Sequence, residues 1–358
     1  MVKSDMCVYN MNNSNIEEVT EMSETMQAMV IDKYGNNPVY EQTMPMPEVE
    51  LNEVRVKIKA ASVNPIDFKI RDGKLKPLLK FNFPLILGND FSGVVTAVGS
   101  NVDQYQVGDN VYGRPRKDKI GTFAEYIAID VSEIAPMPEG LSYEEAASLP
   151  LVGLTAYQAL NEVMHLQAGQ KVLIQAGSGG VGTFAIQLAK AMDLHVATTV
   201  SDRGVELVKS LGADEIINYK EHDFSQVLSD YDGVFDTLGG DNLDKAFDIL
   251  KKGGTVASIS GMPTERVARE MKLGWAKQKL FQFASRKLNK KARQTGTNYE
   301  FLFMHPSGDQ LKKIKSLVEE GKIKPIVDKV FHFNETQGAL EYSEQGHAKG
   351  KIVIQVSE

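Results

Sequence analysis

The stretch KVLIQAGSGGVGTFAIQLAKAM, residues 171–192, passes from an apolar strand through a run of small residues into an apolar helix. Gly177, Gly179 and Gly182 stand in G-x-G-x-x-G register within it. That spacing suits a tight strand-to-helix turn whose backbone must approach a pyrophosphate closely, with unpaired N–H groups at the helix start complementing its charge. Gly177, Ser178, Gly179, Gly180, Val181 and Gly182 are therefore the candidate cradle. Alone, the motif describes any tight turn, so its neighbours decide. HVATTV (195–200), EIINY (215–219), DGVFD (232–236) and TVASIS (255–260) follow as further strands, each separated from the next by a helical segment. This alternation predicts a parallel sheet wrapped by helices, a doubly wound dinucleotide-binding domain over 150–321.

Where HVATTV ends, a site for a free ribose 2′-hydroxyl usually presents an acid, and here Thr199, Val200 and Ser201 occupy that place. A 2′-phosphate would be tolerated, with Arg203 to pair with it and Tyr219 to donate a hydrogen bond. Asp202 is the contrary sign, because it lies near the offset expected of a ribose-binding acid. The balance favours NADPH over NADH.

Upstream, from Met26 to about Pro138, the apolar segments are short and punctuated by Gly and Pro. EVRVKIKA alternates apolar and charged residues as a half-buried strand does, and the region reads as a partly open β-barrel over 26–149. The rhythm changes at Ser142, where SYEEAASLPLVGLTAYQAL has a helical period and Ser142 with Glu145 forms a capping box. Downstream, KIKPIVDKVFHF and GKIVIQV return to β character, so 322–358 is assigned back to the barrel domain. Between Glu265 and Arg293 stand ten bases against two acids, with Trp275, Phe281 and Phe283 among them. This basic insertion, 265–293, is expected to be an amphipathic helix whose aromatics pack it down, or else a lid or an oligomer arm.

Composition sets outer bounds. Of 358 residues, 42% are hydrophobic and 24% charged, enough to bury a sizeable core in two domains. A formal charge of −7 argues against nucleic acid as a general partner. No apolar run approaches the length of a spanning helix, which argues against a membrane partner. The single cysteine, Cys7, permits neither an intrachain disulfide nor a multi-cysteine metal site and suits a reducing compartment, so cytoplasmic residence is expected. Residues 1–25 hold one base, Lys3, against five acids and read as a flexible tail rather than as a secretory or mitochondrial address.

With these features in place, the chain resembles the medium-chain dehydrogenase/reductase superfamily from residue 26 to 358. GLTAY (153–157), AGSGGVG (176–182) and the C-terminal GKIVI (350–354) carry the likeness. ASVNPIDFK (61–69), GNDFSGVV (88–95) and IGTFAEY (120–126) are similar to its zinc-independent quinone oxidoreductases and their enone, or alkenal, reductase relatives. The resemblance implies a GroES-like barrel beside a Rossmann domain, a homodimer, and NADPH-driven hydride transfer to a quinone or an enone. Zinc-dependent members carry a cysteine where this chain has Ser62 or a neighbour and a His-Glu pair where it has Asn89 and Asp90, so no metal site is expected.

Carried over residue by residue, the resemblance points to Asn64 as a donor to a carbonyl or a ribose hydroxyl, unless it merely caps a turn before Pro65. Lys69 would be a cation near the acceptor oxygen, unless it is only solvated. Thr155 would bind the nicotinamide carboxamide and Leu238 the nicotinamide ribose region. Phe68, Tyr126 and Phe303 would line the substrate cleft, the last two being equally compatible with core packing. A catalytically weak NADPH-binding protein is the alternative, and a zinc-dependent alcohol dehydrogenase fits the residues less well.

Overall fold

The structure is a computed structural model, and it describes residues 24–357. Cys7 and all but the end of the N-terminal tail lie outside the described residues. Among the described residues, sixteen strands and twelve α-helices follow in chain order. The first part comprises β1 (Thr25–Ile31), β2 (Tyr40–Pro45), β3 (Glu53–Val63), α1 (Pro65–Arg71), β4 (Leu85–Ile86), β5 (Phe91–Val98), β6 (Asn110–Gly113), β7 (Tyr126–Asp130) and β8 (Ile134–Pro136). Then come α2 (Tyr143–Ala147), α3 (Pro150–Tyr157), β9 (Lys171–Ile174), α4 (Gly180–Ala191), β10 (His195–Val200), α5 (Val205–Ser210), β11 (Glu215–Asn218), α6 (Phe224–Val227), β12 (Tyr231–Asp236), α7 (Gly240–Ala246) and β13 (Leu250–Ser258). The chain ends with α8 (Glu265–Glu270), α9 (Trp275–Ala284), α10 (Arg286–Thr295), β14 (Asn298–Phe301), α11 (Gly308–Glu319), β15 (Val327–His332), α12 (Thr336–Glu344) and β16 (Lys351–Gln355).

Two β layers form the GroES-like unit. β3 is its spine: one edge holds β7 along Glu53–Lys57 and β16 along Ala60–Val63, while the other edge holds β5. Its alternating pattern explains this, since Val54, Val56 and Ile58 face the core and the charged residues between them point outward. β15 lies beside β16, so the end of the chain completes the sheet begun by β3. A small sheet of β2, β1 and β4 covers one side.

The second unit is a six-stranded parallel sheet in the order β11-β10-β9-β12-β13-β14. The chain winds outward from β9 to β11, then restarts on the other side of β9 at β12. This makes the crevice outside the C-terminal ends of β9 and β12 the topological switch point, the place where open α/β sheets bind ligands. Leu173 and Ile174 of β9 are fully buried, as a central strand covered on both faces must be.

Ser142 and Glu145 make their capping box, with Glu145 N–H donating to Ser142 Oγ at 3.2 Å and Ser142 N–H to Glu145 Oε2 at 2.9 Å. The single helix expected after it is instead broken: α2 stops at Ala147, Pro150 starts α3, and residues 158–163 loosen into a π-helical turn. The basic segment also differs from the expected single amphipathic helix. It forms three helices, because Lys272 takes a left-handed φ of 53° after α8, Gly274 precedes α9, and Ser285 ends α9 by bonding back to the Phe281 carbonyl. Of its three aromatics only Phe281 is buried; Trp275 and Phe283 face solvent.

Candidate active site

The glycine turn is built by close approach. A Cβ on Gly177 would lie 2.1 Å from Thr198 Oγ1, and one on Gly182 would lie 2.4 Å from the Ala176 carbonyl oxygen. Gly179 meets nothing nearer than 3.4 Å, so its face stays open. Ala176 adopts φ of 51°, a strained conformation for a residue with a Cβ, of the kind found where ligands are held. No side chain caps α4, so the first amides of this twelve-residue helix point into the opening at its start. The cradle therefore fits a pyrophosphate on its own geometry. Ser178 packs against the segment after β10, where a Cβ on Gly204 would come within 2.9 Å of it.

Ser201, Arg203 and Tyr219 gather at the ends of β10 and β11, with the Tyr219 N–H donating to the Val200 carbonyl. Asp202 is already engaged: its Oδ1 accepts from Asn218 Nδ2 at 2.7 Å. Across the switch point, Asp236 is buried and accepts from the amides of Leu238 and Gly239 at 3.1 and 2.8 Å, which turns the exposed Leu238 over the crevice end of β12. Burial raises the Asp236 carboxyl above its ordinary value. The Thr155 hydroxyl donates to the Leu151 carbonyl at 2.6 Å, leaving its oxygen lone pairs to accept from an amide.

The centre of the site is a buried polar network that joins the two units. Asn64, 1% exposed, caps α1, and its amide is used at both ends. Nδ2 donates to Asp90 Oδ2 at 2.8 Å, while Oδ1 accepts from Lys351 Nζ at 2.5 Å. Asp90 also accepts from Ser62 Oγ at 2.6 Å and from the Leu151 amide at 2.7 Å. Asp67 holds the Asn64 amide N–H and Asn89 Nδ2, each at 2.7 Å. Burial dominates at Asp67 and pushes its carboxyl up to about 7. Burial likewise lowers the Lys351 ammonium, against the opposing pull of Asp90 and Asp67.

Lys351 is the residue the sequence reading missed. It is 5% exposed, and its stem lies against Gly180, whose Cβ would meet Lys351 Cδ at 2.8 Å. Gly350 N–H donates to the Ser178 carbonyl at 3.0 Å, so the GKIVI segment ties the cradle to Asn64 and Asp90. Its only signal in the sequence was a lysine opening an apolar strand. Arg114 and Lys117, in the loop after β6, were also missed. Arg114 Nη2 donates to Asn89 Oδ1 at 3.3 Å, and Lys117 reaches Phe303.

The structure changes the roles of some candidates. Asn64 spends its amide on Asp90 and Lys351, so it positions the network instead of offering a free donor. Lys69 is half-buried with its pKa lowered by burial and by Lys74, and it makes no hydrogen bond or ion pair to the network. Tyr126, half-buried, packs with Met44 and Ile86 against Met26, Ala28, Val30 and Ala124 of the small sheet. Phe68 is half-buried on α1. Phe303 stacks on Phe301 with centroids 6.5 Å apart and faces the barrel loop. A groove of about 640 Å³ lies elsewhere, among α8, α9, α10 and β14, where Arg266 and Arg269 already pair with Glu300 and Glu265.

For zinc the residues do not fit. Among the described residues no cluster of three or more His, Cys, Asp or Glu is arranged to hold a metal ion. The polar groups here are amides, hydroxyls and two carboxylates already saturated by donors. Among the described residues no helix is long and apolar enough to cross a membrane.

A barrel whose last strand reaches back to a dinucleotide cradle defines a medium-chain dehydrogenase/reductase, and the chain belongs to that superfamily. Residues 50–139 match the alcohol dehydrogenase GroES-like domain and residues 211–354 the zinc-binding dehydrogenase family. It is 39% identical to the human NAD(P)H oxidoreductase RTN4IP1, mitochondrial, over 95% of this chain and 92% of that one. It is 33% identical to the NADPH-dependent alkenal/one oxidoreductase, chloroplastic, of Arabidopsis thaliana, over 95% and 82%. Among solved structures, the quinone oxidoreductase from Coxiella burnetii superposes with a TM-score of 0.79 at 34% identity, covering 93% of this chain and all of that one. The chain is thus an oxidoreductase of the type that uses a nicotinamide cofactor.

Proposed function

We propose that this chain is an NADPH-dependent reductase of quinones or α,β-unsaturated carbonyls that works without a metal. The carrying observation is the Ser62–Asn64–Asp90–Lys351 network: at the centre of the site, beside a dinucleotide cradle, an amide and an ammonium tie together Ser62 and Asp90, residues at the positions where the resemblance puts ligands in metal-dependent relatives. Alkenal and quinone oxidoreductases among the relatives support the acceptor class. Arg203, with no carboxylate partner among the described residues, and Asp202, committed to Asn218, support the 2′-phosphate of NADPH.

When bound, NADPH supplies the hydride; the chain's own residues supply placement and charge. Gly177–Gly182 hold the pyrophosphate, Thr155 and the Leu238 backbone orient the nicotinamide end, and Asn64 with Lys351 fixes the distance between cradle and barrel. Charge grows on the acceptor oxygen as hydride arrives, and protein donors must meet it. A homodimer belongs to the same proposal, because β14 ends its sheet with an unpaired edge that a second copy would extend; cytoplasmic residence rests on the lone cysteine.

The test is NADPH oxidation by an alkenal and by a quinone, with the products identified and deuterium followed from the cofactor's C4. Label at the β-carbon of the alkenal product and an unchanged rate after chelator dialysis are expected. Absence of turnover with broad panels of both acceptors refutes the proposal.

A further inference from the structure

Among the described residues, Lys117 and Arg114 at the domain boundary make no ion pair with a carboxylate. Lys117, on the barrel loop, places its Nζ 3.4 Å from the centroid of the Phe303 ring and 3.3 Å from the Phe303 carbonyl oxygen, both on the cofactor domain just past β14. Among the described residues it makes no ion pair. Arg114 is 1% exposed, and beyond its contact to Asn89 it leaves Nε and Nη1 buried without any hydrogen-bond partner. A buried guanidinium and a mostly buried ammonium close enough for the first to lower the second are costly, and such charges are ordinarily paired.

Their position is informative. Arg114 bonds Asn89, the neighbour of Asp90; Asp90 holds the Leu151 amide, and the Leu151 carbonyl takes the Thr155 hydroxyl. The unpaired donors are therefore linked by three hydrogen bonds and one chain step to the residue assigned to the carboxamide. Asp67, Asp90 and Glu133 act on Arg114 only at longer range, and Glu270 of α8 acts likewise on Lys117.

We propose that Arg114 and Lys117 form the receptor for the acceptor's oxygen, Arg114 holding the oxyanion through Nε and Nη1 and Lys117 delivering its proton. The inference rests on the reductase reading and names its acid. With an enone, the incoming hydride brings an electron pair that becomes the new C–H bond at the β-carbon. The π electrons move to the carbonyl oxygen, an N–H bond of Lys117 breaks, and an O–H bond forms. The products are an enol and a neutral amine; the enol becomes the ketone by exchange with water, and the amine regains a proton from solvent. A quinone takes the hydride's hydrogen on one oxygen, whose C=O bond becomes C–OH, and the electron pair leaves the other oxygen as the phenolate that Lys117 protonates. Burial, reinforced by Arg114 and opposed by Glu270, brings the Lys117 ammonium down to about 7, close to the value that suits a general acid at neutral pH.

The experiment compares wild type with Lys117→Met, Lys117→Arg and Arg114→Lys, by turnover against pH and by capture of 4-nitrophenol with NADP+ present. At mildly acid pH the free probe is mostly neutral, so a site of this kind draws out its yellow anion. Wild type should lose rate as pH rises through about 7 and should bind the phenolate. Lys117→Met should lose roughly 100-fold or more in kcat, along with the pH break and the phenolate colour, while NADPH binding holds. Lys117→Arg keeps a charge that does not titrate, so it should retain phenolate capture and lose the break. Arg114→Lys should weaken phenolate capture. A Lys117→Met enzyme with the wild-type rate and pH profile overturns the proposal and leaves the reductase reading intact. A wild type that turns over no acceptor yet captures phenolate through Arg114 and Lys117 refutes the reductase reading and leaves the oxygen receptor standing. Neither turnover nor capture overturns both.

Discussion

Replacing Lys351 by Met keeps the stem that packs on Gly180 and removes only the ammonium. The change leaves Asp90, fully buried, with Ser62, Asn64 and the Leu151 amide as donors but no cation within ion-pair distance among the described residues. It also deprives Asn64 Oδ1 and the Val63 carbonyl of their donor. Breaking a buried pair by deleting one partner costs ~3–5 kcal/mol, because the remaining charge stays uncompensated. At ~2 cal/mol/K per residue, the 358-residue chain has an unfolding entropy of about 0.75 kcal/mol/K, so a loss of ~4 kcal/mol lowers Tm by about 5 °C. Differential scanning calorimetry with and without NADPH reads both the loss and any weakening of cofactor stabilisation. The decisive arm is the double variant Asp90→Asn/Lys351→Met, in which neither charge is present; it should recover most of the lost stability, a positive coupling in a double-mutant cycle. A Lys351→Met protein that melts within about 1 °C of wild type, given the entropy above, or a double variant no more stable than the single one, refutes the account of this network as a charge-compensated tie.

Three further outcomes follow from the same geometry. Gly182→Ala places a Cβ 2.4 Å from the Ala176 carbonyl oxygen, a backbone clash the turn cannot relieve, and should weaken NADPH binding by about tenfold or more in a fluorescence titration. Arg203→Ala should cost NADPH about tenfold or more in Kd while leaving NADH unchanged, as expected for one charge-assisted phosphate contact; equal losses for both cofactors would remove Arg203 from the 2′-phosphate site. Asp67 has a folded pKa raised to about 7, so the folded state holds its proton more tightly than the unfolded chain does. Its contribution to stability is then fully present below the ordinary carboxylate range and is lost as pH rises from about 4 to about 7. Denaturant titrations across that window should show a stability decline that Asp67→Asn flattens.

The dinucleotide turn could be read from residues 171–192 because every element of it is local: strand, small residues and helix follow one another within twenty-two residues. The Ser142–Glu145 capping box spans four positions and is legible for the same reason. Strand period in EVRVKIKA and the alternation of strands with helices after it are also short-range patterns, set by which faces must be dry. The basic segment marks the limit of such reasoning. Its composition announced a helix, but the breaks at Lys272, Gly274 and Ser285, and the outward turn of Trp275 and Phe283, depend on how three short helices seat against β14 and α7.

Partner choice in the site lay beyond the linear pattern. Asn64 and Lys351 are 287 positions apart, and Ser62 and Asp90 are 28 apart. No periodicity connects them, since partners so far apart in sequence are fixed by how β16 docks on β3 and how Gly350 meets Ser178. The sequence left Asn64 open between a donor and a turn cap and Tyr126 open between cleft and core; in the fold the Asn64 amide is taken up by Asp90 and Lys351, and Tyr126 packs half-buried on the small sheet. Residue types and local spacing announce which groups a chain possesses; burial, which raises the cost of every unpaired charge, assigns those groups to one another.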